Sequence, residues 1–134
     1  MNRIEEIVSS QEFSDVRDKW MVVCAVMMSK GYLAPVARSL YFSLKAIKDQ
    51  GYSEELYADF DRHFKAIKYG MSKEYKSIIK KDDLSQAFIK AFLLLTNKTT
   101  LLLEERQEIP DDFINRVENK LSDKARSNYI DYFT

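Results

Sequence analysis

Cysteine, histidine, glycine and proline are all scarce in this chain, and each scarcity closes off a class of function. The 134 residues hold one Cys, one His, three Gly and two Pro. With Cys24 alone, no intrachain disulfide can form. A metal centre built from Cys24 and His63 would need two further ligands, and no pair of residues has ligand spacing, so no metal site is expected. Gly31, Gly51 and Gly70 stand singly, so no glycine-rich phosphate loop, dinucleotide fingerprint or nucleophile elbow occurs. Nor is there sustained period-two alternation, or an Asn-Gly or Asp-Gly hairpin turn, and β structure is not expected.

Long apolar runs are missing too. The longest, Trp20–Met28, is nine residues, about half of the roughly 20 that a membrane-spanning helix needs. Cys24 lies inside it, where a buried, inert thiol is expected. The opening MNRIEEIVSSQEF places acidic residues where a secretory signal carries its apolar core. A cytoplasmic protein without membrane contact is expected, or the host-cytosol product of a virus or mobile element. The formal net charge is zero, from 21 basic and 21 acidic residues, so the whole chain has no electrostatic bias towards nucleic acid or acidic lipid.

What the chain does have is helical periodicity. Asp83–Glu105 reads DLSQAFIKAFLLLTNKTTLLLEE, with Ala87, Phe88, Ala91, Phe92 and Leu95 on one face and apolar residues spreading around most of the circumference. Such a helix must be covered on several sides. Around it the sequence predicts a short helix over residues 2–9, carrying Ile4, Ile7 and Val8. A second follows Ser14 and stops at Gly31, with Val16, Trp20, Val23, Cys24 and Met27 inward. A third runs from Ala34 to Asp49, with Pro35 in its first turn and Gly51 as its stop; its inward face is Val36, Leu40, Leu44, Ile47 and either Tyr41 or Phe42. Ser53 opens a fourth, along Leu56, Phe60, Phe64 and Ile67, ending at Gly70. Ser72 caps a short one to about Lys80, and further helices are expected from Pro110 and from Ser122. The fold class is all-α, a single domain over residues 1–134 with five to seven helices packed around a buried central helix at about 84–105.

Charge is segregated along the chain. Arg62, Lys65, Lys68, Lys73, Lys76, Lys80 and Lys81 face Glu74 alone, whereas acidic residues outnumber basic ones seven to three from Glu104 to Asp123. The basic stripe, Arg62 to Lys80, is a candidate phosphate-tracking or acidic-partner surface, with Tyr69 and Tyr75 available for stacking; the plain alternative is a solvated face neutralised by the chain's own carboxylates. The carboxylate pairs Glu54–Glu55, Asp82–Asp83 and Asp111–Asp112 suit helix starts rather than paired-acid catalysis. His63, between Phe60 and Phe64, suits a solvent-facing or hydrogen-bonded structural role. At the C-terminus, Tyr129, Ile130, Tyr132 and Phe133 crowd into six residues and form a candidate interface, or else close the core.

Gly31-Tyr32, then Ala37, Tyr41-Phe42-Ser43 and Ala46, and later Phe60, Phe64, Gly70, Lys73 and Glu74, make residues 25–75 similar to the HEPN family of small helical bundles. The order of helices agrees over most of the chain. The resemblance implies a helical bundle that in some members is a ribonuclease, working through an Arg followed by four to six residues and then a His. Here the positions that would carry that Arg before His63 are Leu56, Tyr57 and Ala58, and LLTNKTT at 94–100 has no Arg. The resemblance therefore implies a non-catalytic binding bundle.

The expected function is accordingly that of a non-enzymatic helical interaction protein (a regulator, inhibitor or complex subunit) without cofactor, acting on a protein partner and able to form a homodimer. Nucleic-acid or nucleotide-phosphate binding through the basic stripe is the second expectation. A small-ligand sensor with an apolar pocket among Trp20, Met27, Met28 and the central helix is the third.

Overall fold

A computed structural model describes residues 2–104, 116, 117 and 119–121. Among these the chain is all-helical, without a strand. Five helices follow one another: α1 (Arg3–Val8), α2 (Gln11–Lys30), α3 (Ala34–Gln50), α4 (Glu54–Ile79) and α5 (Asp83–Glu104). The internal packing divides the chain into two compact units, Met1–Met71 and Ser72–Thr134.

In the first unit, short polar side chains cap the starts of α1, α2 and α4, and glycines stop α2 and α3. Asn2 accepts the Glu5 amide at the head of α1, and Ser10 accepts the Phe13 amide at the head of α2. The cap of α2 is thus Ser10, not Ser14. Phe13 is fully buried and extends the apolar row of Val16, Trp20, Val23, Cys24 and Met27 back by one turn, which holds that turn helical. Gly31, at φ +76°, ends α2 in the left-handed conformation that costs glycine least. The connection of three residues lets α3 fold back and pack against α2. Along α3 the buried residues are Ala37, Leu40, Ser43, Leu44 and Ile47. Tyr41 is half-buried and Phe42 is exposed, because position 42 falls on the side of the helix opposite the Ala37–Leu40–Leu44 row.

Ser53 caps α4 by accepting the Leu56 amide. The helix then runs without a break through Gly70, Met71 and Ser72, so the two helices expected on either side of Gly70 are one. Gly70 serves close approach rather than termination. A Cβ there would sit 2.8 Å from Leu33 Cδ1. Leu33 itself is a non-glycine residue at φ +48°, a conformation costing about 1–3 kcal/mol, and its side chain fills the notch that Gly70 leaves open. Phe13 meets Phe60 edge-on at 5.7 Å between ring centres, Trp20 meets Phe64 at 5.6 Å, and Phe60 stacks on Phe64. These rings tie α2 to the first half of α4.

In the second unit α5 begins at Asp83, with Asp82 accepting the Ser85 amide. Ala87 through Leu93 are buried without interruption. Seven consecutive residues pass nearly twice around a helix, so α5 is covered on every side over that length. The covered side chains of α5 include polar ones: Lys90 is 4% exposed and Thr96 and Thr99 are fully buried. Thr99 and Thr100 return their hydroxyls to the Leu95 and Thr96 carbonyls. Val117 and Leu121 are buried as well.

Candidate functional site

Three groups of side chains bear on function. The first surrounds Asp59 on α4. The Ser43 hydroxyl donates to Asp59 Oδ2 at 2.5 Å, His63 Nε2 lies 3.2 Å from Asp59 Oδ1, and Arg62 pairs with the same oxygen. The Ser43 hydrogen bond, reinforced by His63 and Arg62, holds the Asp59 carboxyl below its usual range, while partial burial acts in the opposite sense. The order of groups is not that of a nucleophilic triad. A triad needs the imidazole between hydroxyl and carboxylate to take the hydroxyl proton; here the carboxylate stands in the middle and Ser43 donates to it. The cluster joins α3 to α4 and leaves His63 hydrogen-bonded and partly covered.

The second group is the basic stripe. Arg62, Lys65, Lys68, Lys73 and Lys76 all lie on α4, and Lys80 lies in the turn beyond it. Because α4 is continuous, Arg62, Lys65, Tyr69, Lys73 and Lys76 recur every three or four residues along one side of it; Lys68 falls off that line. All of the aligned residues are exposed, Tyr69 at 64%. Some of the charge is met locally, since Arg62 pairs with Asp59 and Lys65 with Asp61, the latter at 2.8 Å. The four C-terminal residues Tyr129, Ile130, Tyr132 and Phe133 lie outside the described residues.

The third group was not singled out from sequence. Between α2 and α3 lies a hollow of about 440 Å³, lined by Met28, Ala34, Pro35 and Arg38. Next to it Phe42 is 52% exposed, with the Arg38 guanidinium 5.7 Å from its ring centre and Tyr41 edge-on to it at 5.5 Å. A sequence signal did exist. No acidic residue occurs between Asp18 and Asp49, while Lys19, Lys30, Arg38, Lys45 and Lys48 all fall there. Lys45 and Lys48 find carboxylates at the borders of the stretch, Asp49 at 3.0 Å and Asp18 at 3.9 Å.

Trp20 and Met27, expected beside a ligand pocket, are fully buried; Met28 lines the hollow instead. Burial pushes the Cys24 thiol up to about 12, so it stays protonated and unreactive at neutral pH. Among the described residues no three His, Cys, Asp or Glu side chains are grouped to hold a metal ion, and no helix is long and apolar enough to cross a membrane. No protein-family model, curated protein or solved structure matches the chain.

Proposed function

We propose that this protein is a non-enzymatic α-helical interaction protein, a single-domain regulator, inhibitor or complex subunit that works by contact between helical faces, with α5 as the central helix of its bundle. The observation that carries the proposal is Phe42. A large aromatic ring left half in water, stacked under an arginine beside an apolar hollow, has the composition of an interface centre. The state of the chemistry-bearing side chains supports it: Cys24 is buried and protonated, and Ser43, Asp59, Arg62 and His63 are engaged with one another. Light scattering at low and high salt, with affinity capture in parallel, tests it on the wild type and Phe42→Ser. A salt-indifferent dimer, or a captured partner, that the wild type holds and Phe42→Ser loses is expected. Two monomers retaining identical proteins would end it.

Nucleic-acid binding stays as a second proposal because α4 aligns Lys73 and Lys76 with exposed Tyr69. It requires salt-dependent RNA or DNA affinity that Lys73→Glu with Lys76→Glu abolishes; no retention at low salt removes it.

A further inference from the structure

Contact through helical faces leaves the partner open, but the α2–α3 hairpin specifies its chemistry. Two rows of side chains leave the hollow. On α2 the row is Met28, Ala25 and Met21, none of them buried; on α3 it is Pro35, Arg38 and Phe42, all exposed. Each row advances by three and four residues, the spacing of one helical side. Since α3 folds back along α2, the rows run away from the hollow in the same direction. Met21 to Met28 covers about 10 Å, or two helical turns. Five of these six residues are uncharged and the sixth is Arg38. Neither Arg38 nor Lys30 at the hairpin tip has a carboxylate partner among the described residues, and the hairpin between Asp18 and Asp49 contains no acid.

We infer that this face docks an acidic amphipathic α-helix of a partner protein, one apolar side chain entering the hollow and a carboxylate meeting Arg38. The inference rests on the interaction-protein proposal. An apolar floor bearing Arg38, with Lys30 at the hairpin tip, complements a helix with an apolar stripe and acidic flanks. A second copy docked on the same face would set cation against cation, because a two-fold contact repeats one patch. A nucleic acid would need cations in series along its phosphates, and the rows offer one.

The test is a display selection of random 16-residue peptides on the intact protein, with recovered peptides synthesised and their affinities measured. Enriched peptides should carry Asp or Glu beside apolar residues at i, i+3 or i+4, and i+7. Their affinity should fall at least tenfold with Arg38→Glu and with Phe42→Ser, and stay unchanged with Lys73→Glu. Circular dichroism of each variant separates lost binding from lost folding. Basic or neutral peptides, or peptides indifferent to both hairpin variants, overturn the inference while leaving an interaction protein of another face. Phe42-dependent dimerisation, or Phe42-dependent binding to phosphatidylserine vesicles or single-stranded RNA in place of peptide, also overturns it. No enriched peptide, together with a monomer that captures nothing, overturns both proposals.

Discussion

Two aromatic groups in the first unit are built from similar residues and end in opposite places. Phe13, Trp20, Phe60 and Phe64 interlock between α2 and α4 and are almost wholly shielded from water, whereas Tyr41 and Phe42 sit on α3, with Phe42 half exposed under Arg38. Aromatic content alone does not separate the two. Helical phase does: Trp20 continues the row of Phe13, Val16 and Met27, while Phe42 is on the far side of α3 from Leu40 and Leu44. The first group holds the fold and the second is available for contact.

Substitutions sharpen that contrast, beginning with the largest effect. Trp20→Ala should lower stability by about 3–5 kcal/mol, the cost of emptying a packed aromatic site, read as a shifted urea midpoint. Gly70→Val should cost about 1–3 kcal/mol in the same assay, because any side chain at position 70 must displace Leu33; a stability gain would mean that Gly70 is a mere breaker. Ser43→Ala should cost about 1 kcal/mol, reduced because Asp59 is 38% exposed and screened by solvent. Its pH dependence has a definite sign. Asp59 titrates below its unfolded value, so its contribution is present above the ordinary carboxylate range and is lost as pH falls through the lowered folded value. The gap between Ser43→Ala and wild type should therefore narrow below about pH 4, as denaturation at pH 7 and pH 3 would report. Phe42→Ser should change stability by no more than about 0.5 kcal/mol. A loss as large as that of Trp20→Ala would dissolve the distinction between the two groups.

Sequence periodicity was enough to place the inward face of α2 and the stops at Gly31 and Gly51, because local physics decides them. A stripe of large apolar residues and an unhindered left-handed residue need no tertiary knowledge. Gly70 shows where that ends. Followed by Met71 and Ser72 it resembles a helix stop, and only the approach of Leu33, distant in sequence, reveals a notch in a continuous helix. Ser43 is a second case. A hydroxyl on the inward face of α3 is explained by the carboxylate of Asp59 on another helix, which no spacing along α3 announces. The basic stripe was plain in the sequence, but charge counting could not tell that Arg62 and Lys65 are met by Asp59 and Asp61 within a turn. The hairpin face was hidden for the converse reason: its signal is an absence of acid over a long stretch, diluted by balanced charge elsewhere.

The lone thiol reports on motion. Because Cys24 is buried on α2 and held protonated, a thiol reagent can reach it only when the α2 packing opens. The rate at which native protein takes up such a reagent is therefore an internal clock for the opening of the first unit. A cysteine engineered onto the exposed face would react at once against that slow background, so a single dye could be placed beside Phe42 without first removing the natural residue.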